Sequence, residues 1–270
     1  MLKKKYFIIM LSILVVCFFC GCFTKKERKI VKKYYNSGKL KSYGYYIKDT
    51  IPVDTLHSLY EDGNLSSIMI YDSSGYLQGQ TIFYYENGNK YQIINYNKGV
   101  TNDFFYEFSE GGELKSKIFF LNDSQIGDSY VFSKEMVTVY NFYDFEKHNI
   151  NFITYDSVSG NIIKDIRQKI FVDSLRPYND TLDKEHERSY DMLVIISNPP
   201  KCRSTVKVEY LSKNGVLMKN DSITSRSYYF SKERFPDSLF SIKIFGSQYD
   251  SLKHKSTYQE SNVKLNYKKE

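Results

Sequence analysis

The residues best suited to chemistry are a short charged cluster and a single cysteine in the body of the chain. Asp183, Glu185, His186 and Glu187 offer carboxylates and an imidazole, which are donors that bind divalent metals. Neighbours on one loop seldom converge on an ion without ligands from elsewhere, so a solvated charged patch is favoured. Cys202 lacks a nearby histidine in sequence, which favours a small buried side chain over a nucleophile.

The remaining titratable residues form no recognisable catalytic set. The sequence contains no H-E-x-x-H, G-x-S-x-G or P-loop motif. His57, His148 and His254 each stand alone, and acidic residues such as Asp62 and Glu86 fall where turns are expected. We therefore predict no catalytic residue, no metal and no cofactor, and we keep a hydrolase in the C-terminal half as the least favoured alternative.

The N-terminal segment indicates a different chemistry, acylation of a thiol. Three lysines precede an uncharged apolar run from Tyr6 to Cys20, and Gly21 stands directly before Cys22. As a helix that run would extend about 22 Å, which is short of the ~30 Å hydrocarbon layer and favours a cleaved signal peptide. The tetrapeptide Phe19–Cys22 resembles the bacterial lipobox, although Phe19 and Cys20 depart from its usual leucine and small residue.

The lipobox resemblance implies that Cys22 is the lipidated first residue of the mature chain and that the lipid bilayer is a partner. Multiple acyl chains anchor a protein stably, whereas one gives only marginal binding. No Asp follows Cys22, so we expect the outer membrane rather than the inner membrane of a bacterial envelope. The alternative is an ordinary signal peptide and a soluble exported protein.

Composition argues against one class of partner, nucleic acid, and against one source of stability, disulfide bonds. Removal of residues 1–21 leaves 35 Lys and Arg against 31 acids, a net charge of +4 without a dense basic stripe in the repeats, which argues against nucleic acid. Cys202 then remains the only free thiol, so no disulfide within the chain is expected. The 26 Tyr and 19 Phe residues favour strands.

A unit of aromatic, polar, polar, Gly, polar and apolar residues recurs through the first half. Its glycines are separated by 25, 12, 13, 11 and 13 residues, which predicts one hidden copy near Asp49. Asp62-Gly63 and Asn87-Gly88 are strong hairpin signals, because Gly accepts the positive φ of a tight turn. The predicted turn glycines are Gly38, Gly63, Gly75, Gly88, Gly99 and Gly112.

The best copy of this unit, Tyr34–Tyr46, reads Y-Y-N-S-G-K-L-K-S-Y-G-Y-Y. It resembles the MORN-type repeat in its bacterial variant, and the resemblance covers residues 34 to 121, about a third of the chain. The family's second glycine and its tryptophan are mostly missing. The resemblance implies an extended, twisted sheet of successive hairpins. Some bacterial members are antitoxin components and eukaryotic members serve as scaffolds or in membrane apposition.

The predicted fold is therefore all-β, an extended sheet of hairpin repeats followed by a small antiparallel sandwich-like domain, for which an immunoglobulin-like arrangement is one candidate. The predicted segments are the signal peptide (1–21), a basic tether (22–33), repeats (34–172, clear to about 121), a linker or loop (173–189), the antiparallel β domain (190–250) and a polar tail (251–270).

The leading functional hypothesis is a non-catalytic, membrane-anchored binding or scaffolding module. Rows of tyrosine on a sheet give flat amphipathic contact area that suits a protein or glycan of the envelope, although cross-strand packing also explains them. The second hypothesis is an antitoxin-like or immunity-like inhibitor of a toxin. An open tyrosine-faced sheet favours the first hypothesis, and a deep polar cleft with clustered carboxylates favours the hydrolase.

Overall fold

The computed structural model describes residues 27–178, 188–212, 214–224, 228–235 and 239–264. These residues form twenty β-strands and no helix, so the all-β prediction is confirmed. Accordingly, none of the described segments is a helix long and apolar enough to cross a membrane. The strands are β1 (Arg28–Tyr34), β2 (Leu40–Ile47), β3 (Ile51–Leu59), β4 (Leu65–Tyr71), β5 (Gly79–Tyr84), β6 (Lys90–Asn97), β7 (Val100–Thr101), β8 (Asp103–Phe108), β9 (Leu114–Leu121), β10 (Ser124–Ser133), β11 (Met136–Tyr143), β12 (Asn149–Tyr155), β13 (Ile162–Arg167), β14 (Phe171–Tyr178), β15 (Arg188–Ile196), β16 (Cys202–Ser212), β17 (Leu217–Thr224), β18 (Tyr228–Phe235), β19 (Leu239–Asp250) and β20 (Lys255–Lys264).

Strands β1 to β13 form one antiparallel sheet, the long sheet, which has thirteen strands within the described residues. The strands pair in chain order, and the two-residue β7 pairs only with β6 beside that path. This is the extended sheet of successive hairpins that the sequence predicts. Both faces of many strands carry apolar side chains, so the sheet has two faces that must be covered, paired or left partly open to water.

Most of the glycine turns have a three-residue loop, whereas Gly99 shares a two-residue loop with Lys98. The Gly63 amide donates to the Tyr60 carbonyl at 3.0 Å, and the Gly88 amide donates to the Tyr85 carbonyl at 3.0 Å. The glycines have φ values of +100° and +86°, and the strand register shifts by one residue beside each turn. This is a type I turn followed by a glycine bulge, which requires positive φ only at the glycine.

The glycine spacing is irregular because each structural repeat is a hairpin of two strands and some of the turns contain no glycine. The turn between β2 and β3 holds Lys48 and Asp49 at φ of +52° and +58°, so two non-glycine residues occupy the left-handed region there. The turns between β9 and β10 and between β10 and β11 also hold two non-glycine residues at positive φ. The hidden copy near Asp49 is thus a turn without glycine, and the structural period is about 25 residues.

Three tyrosines at equivalent turn positions link successive hairpins. The hydroxyl groups of Tyr35, Tyr60 and Tyr85 donate to backbone carbonyls 23 or 24 residues further along, at 2.7, 2.5 and 2.9 Å. Each bond joins the turn of one hairpin to a strand of the next hairpin. It lies where the backbones of the two hairpins are no longer paired with each other. These tyrosines therefore have a structural role, which accounts for part of the tyrosine content without any ligand.

Strands β14 to β20 form the sandwich. Its sheets are β14-β15-β18 and β17-β16-β19-β20 within the described residues. Phe171 and Ile196 from the first sheet share a core with Val206, Tyr210 and Ile244 of the second, and all five are at most 1% exposed. The chain changes sheet between β15 and β16, between β17 and β18 and between β18 and β19. Such crossings are found in Greek-key sandwiches, of which immunoglobulin domains are one example.

Three strands occupy segments for which the sequence predicts irregular structure. β1 lies mostly in the predicted basic tether, β14 lies mostly in the predicted linker, and β20 lies in the predicted polar tail. β1 and β20 are rich in polar residues, and β14 carries Asp, Ser, Arg and Pro among its apolar residues, so hydrophobic patterning gives little signal. Each nevertheless forms because backbone pairing to a neighbouring strand satisfies its N–H and C=O groups, β1 with β2, β14 with β15 and β20 with β19.

Candidate binding face

One face of the long sheet can be followed residue by residue, because directly opposed residues of antiparallel strands point to the same side. The strand register defines a single line of opposed residues across twelve strands, which we call the cross-sheet row. Its members, from β1 to β13, are Lys32, Tyr43, His57, Ile68, Ile82, Ile93, Tyr106, Lys117, Tyr130, Tyr140, Ile153 and Asp165.

The sandwich covers the C-terminal half of this row. Tyr140 and Ile153 are 0% exposed, and they share an apolar cluster with Phe119 of the long sheet and Ile195 of the sandwich. The Tyr130 hydroxyl donates to the Asn198 carbonyl at 2.7 Å, where the chain leaves β15. This half of the face is therefore already an interface between two β structures.

A buried polar chain crosses the same interface. The Asn151 amide donates to the Ser197 hydroxyl at 3.0 Å, Ser197 lies 2.7 Å from the Tyr140 hydroxyl, and Tyr140 donates to the Asp128 carboxylate at 2.7 Å. The Asn198 backbone amide also donates to Asp128, at 3.0 Å. Burial raises the pKa of Asp128, and it also raises the pKa of Tyr140, which keeps Tyr140 a donor.

A large bulge in β10 positions Asp128 at this interface. Between Gln125 and Ser129 the register with β9 shifts, and Gly127 lies in the bulge at φ +71°. A β-carbon at Gly127 would lie 2.8 Å from the Ile195 Cγ2 atom, so only glycine permits this approach. The bulge therefore turns the carboxylate toward the sandwich and lets the β10 backbone lie against the Ile195 side chain.

A second connection between the sheet and the sandwich is ionic. The Arg167 guanidinium lies 2.5 Å from Asp165 and 2.6 Å from Asp250, and Lys253 also pairs with Asp165. Burial raises the pKa of both carboxyl groups, but the hydrogen bonds and charge attraction of Arg167, together with further hydrogen bonds from Lys253, outweigh burial, and the net shift of each pKa is downward. The side chain of Asp250 is only 7% exposed, so its charge depends on Arg167.

The N-terminal part of the row, from Tyr43 in β2 to Tyr106 in β8, has no such cover in the described part of the chain; we call this region the open half. Its apolar residues are half-buried or exposed, with Tyr43 at 36% and Tyr45 at 37%. Ile70, on the same face by its register with Thr55, is 38% exposed. The rings of Tyr43 and His57 stack at 4.7 Å with an interplanar angle of 6°.

Lys117 marks the boundary between the open and covered halves. Its ammonium lies 3.9 Å from the centre of the Phe104 ring, and the rings of Tyr106 and Tyr130 are at 5.8 and 5.6 Å. Burial lowers the pKa of Lys117. The aromatic rings compensate in part for lost water through cation–π attraction, so the lysine is a component of the face rather than a free surface charge.

One groove outside this face is lined by polar residues that the local fold uses. It has a volume of about 440 Å³ and is lined by residues such as Asp144, Glu146 and Lys169. The Asp144 carboxylate accepts hydrogen bonds from the backbone amides of Glu146 and His148 at 2.9 and 2.8 Å, as an aspartate that stabilises a turn does. No group of three metal-binding side chains occurs among the described residues.

The residues singled out in the sequence fall into two groups. Cys22 and the cluster Asp183 to Glu187 lie outside the described residues. Cys202 lies at the sandwich junction, where burial raises its pKa to about 11 and its sulfur accepts a hydrogen bond from Arg167. The six predicted turn glycines have φ between +83° and +100° and lie in turns, not at a ligand site, as follows: Gly38, Gly63, Gly75, Gly88, Gly99 and Gly112.

Sequence reasoning missed the residues that join the sheet to the sandwich. Asp128 and Asn198 are 70 residues apart, and Arg167 and Asp250 are 83 residues apart. No short-range pattern in the sequence predicts pairs this far apart. One signal was available, because Gly127-Asp128 interrupts an otherwise strand-like segment, and a glycine inside a strand often marks a bulge or a close backbone approach.

In comparisons with known proteins, no protein-family model matches the chain and no curated protein sequence is significantly similar to it.

Proposed function

We propose that the protein is an exported lipoprotein, anchored to a bacterial membrane through acylated Cys22, that binds another envelope protein with the open half of the long sheet. The observation that carries the binding proposal is the cross-sheet row. One half of the row seats a β domain of the same chain, and the other half continues the same face with aromatic and aliphatic residues that remain half-buried or exposed. Aromatic residues with few charges among apolar neighbours are typical of interface centres.

A protein partner is favoured over a glycan by the geometry of the aromatic rings. Sugars stack on free ring faces, whereas Tyr43 and His57 each have one face covered by the other. The remaining row residues, from Ile68 to Ile93, are branched aliphatic side chains, which offer packing area but no hydrogen bonds to hydroxyl groups. Such a surface is suited to apolar side chains of a protein.

The size of the open half indicates a modest affinity. The six strands β2 to β6 and β8 span about 24 Å at ~4.8 Å per strand, and six residues along a strand give about 20 Å. The face is thus about 500 Å² on one side, so that a complex buries about 1,000 Å² in total, near the lower limit for a specific interface. We infer a reversible complex rather than an obligate one.

The anchor is tested by replacing Cys22 with serine. Without the thiol no acyl group can be attached, so the variant is expected to leave the membrane fraction, and mass spectrometry of the wild type is expected to show a diacylglycerol adduct on Cys22. A variant with Cys202→Ser controls for thiol loss elsewhere and should stay in the membrane fraction. Membrane retention of Cys22→Ser together with an unmodified wild type would refute the anchor.

The binding face is tested by a pair of double substitutions in a pull-down from envelope extract. Tyr43→Glu with Ile70→Glu places two charges on the open half and is expected to reduce recovery of the partner at least tenfold, because burying an unpaired carboxylate is costly. Val158→Glu with Ile163→Glu is the matched control, since these residues are 86% and 70% exposed at the far end of the sheet. Equal loss with both pairs, or with neither, contradicts the proposal.

A further inference from the structure

The first strand of the long sheet has a charge pattern that the binding face does not use. β1 contains Arg28, Lys29, Lys32 and Lys33 and no acidic residue, and all four cations are exposed. The sequence alone predicts that most of these residues belong to a solvated tether. The structure instead pairs β1 with β2 along seven residues, so the four charges are fixed on the edge of a rigid sheet.

The cations project from both faces of this edge. Lys32 is opposed to Tyr43 and lies on the face of the cross-sheet row, whereas Lys33 is opposed to Ser42 and lies on the other face. The Lys33 ammonium lies 5.1 Å from the centre of the Tyr46 ring. Arg28 is partly neutralised by Asp54 at 3.2 Å, but no ion pair of Lys29, Lys32 or Lys33 occurs among the described residues.

Two exposed apolar residues stand among these charges. Ile30 is 59% exposed and Tyr34 is 57% exposed, both on the same strand. A strand that carries lysines together with isoleucine and tyrosine is suited to the boundary between lipid head groups and acyl chains, where tyrosine is enriched and basic residues contact anionic lipids.

We propose that β1 is a membrane-contacting edge that binds anionic phospholipid head groups and sets the orientation of the long sheet on the bilayer. The distance argument rests on the proposed acylation of Cys22. Arg28 is six positions beyond Cys22 in the sequence, and a chain of that length spans at most about 21 Å. The edge strand therefore cannot be far from the lipid surface. With β1 on the bilayer, successive hairpins extend away from it, and the open half remains accessible to a partner.

An alternative account of the lysines is protection of the sheet edge, since charged residues on edge strands prevent pairing with other chains. The two accounts predict different consequences of charge removal. Edge protection predicts self-association of the neutralised variant, whatever lipid is present. Lipid binding predicts loss of contact with anionic bilayers while the protein stays in its original oligomeric state.

The chain contains no tryptophan, so a single introduced indole reports its own surroundings. Tyr34→Trp places the probe on β1, and Tyr258→Trp places it on β20, where the tyrosine is 77% exposed. The full-length protein isolated from membranes is reconstituted into vesicles of brominated phosphatidylcholine with or without phosphatidylglycerol. Bromine quenches only nearby indoles, so we expect strong quenching of the Tyr34→Trp probe on anionic vesicles and little for the Tyr258→Trp probe.

Charge neutralisation then tests the role of β1. The variant with Arg28, Lys29, Lys32 and Lys33 all replaced by glutamine is expected to lose most of the quenching on anionic vesicles, since each cation near such a surface multiplies binding about fivefold. High salt should have the same effect on the unsubstituted strand. The matched control removes four exposed lysines elsewhere, with the same net charge change: Lys90, Lys164, Lys169 and Lys255.

The outcomes separate this proposal from the anchor. Equal quenching with and without phosphatidylglycerol, or quenching that survives the β1 substitutions, overturns the lipid-binding edge. So does a neutralised variant that merely self-associates while its quenching is unchanged. Failure of the protein to sediment with pure phosphatidylcholine vesicles counts instead against acylation at Cys22, because that retention does not require the basic strand.

Discussion

Replacement of Gly127 by valine is expected to lower the free energy of unfolding by about 3–5 kcal/mol, because two costs combine at this position. The first cost is conformational, since φ is +71° and a β-branched residue is strained there. The second is steric, because the new β-carbon would lie 2.8 Å from Ile195 Cγ2 and 3.4 Å from Phe119 Cδ1. Urea unfolding monitored by circular dichroism measures the loss.

Gly88→Val is the matched control for this substitution. Gly88 has φ of +86°, but no atom lies within 4 Å of the position that its β-carbon would take. Only the conformational cost applies there, so we expect a loss of about 1–3 kcal/mol. Equal losses at the two glycines would contradict the close approach of β10 to the sandwich. An unchanged melting temperature for Gly88→Val would count against the assigned turn.

Replacement of Arg167 by methionine is expected to cost about 3–5 kcal/mol at neutral pH, since it leaves the buried Asp250 carboxylate without its cation and Asp165 with Lys253 alone. The side chains of Asp165 and Asp250 are 12% and 7% exposed. Arg28→Met serves as the control, because Arg28 and Asp54 are about half exposed and such surface pairs contribute at most about 1 kcal/mol. Similar losses for both variants would indicate that the Arg167 cluster is not buried in solution.

The pH dependence gives this prediction a second, independent readout. The folded-state pKa values of Asp165 and Asp250 lie below their usual value of 3.8, so the wild type holds their stabilisation above that pH and loses it as pH falls further. Without Arg167, burial meets less opposition, so both pKa values rise, and protonation at acid pH relieves the buried charge. The stability difference between wild type and Arg167→Met should therefore shrink between pH 7 and about pH 4.

The sequence is most informative where structure is determined by neighbouring residues. A turn needs positive φ at one position, and Gly63 and Gly88 supply it after Asp62 and Asn87, so the hairpins can be predicted from short patterns. The turn at Lys48 and Asp49 has no such local pattern, because neither residue is a glycine; only the gap in the repeat spacing predicts it, and the hairpin geometry imposes the left-handed conformation.

Distant contacts account for most of what the sequence does not reveal. The Asp128 and Arg167 clusters join residues 70 to 83 positions apart, and their burial exists only once the sandwich has docked on the sheet. The basic strand β1 is also hidden in sequence, since lysines give no strand signal and pairing with β2 decides its conformation. The division of the tyrosine face into an open and a covered half is likewise a property of the assembled fold.

The claim that the open half binds a protein is tested most directly by photo-crosslinking in intact cells. A benzophenone amino acid is placed at Tyr43 or Ile70 on the open half, or at Gln92, which is opposed to Phe83 and Glu107 on the other face of the same sheet. The account predicts a discrete protein adduct from Tyr43 and Ile70 and none from Gln92. Adducts of equal yield from both faces, or no adduct from the open half in cells that hold the protein at its membrane, would contradict it.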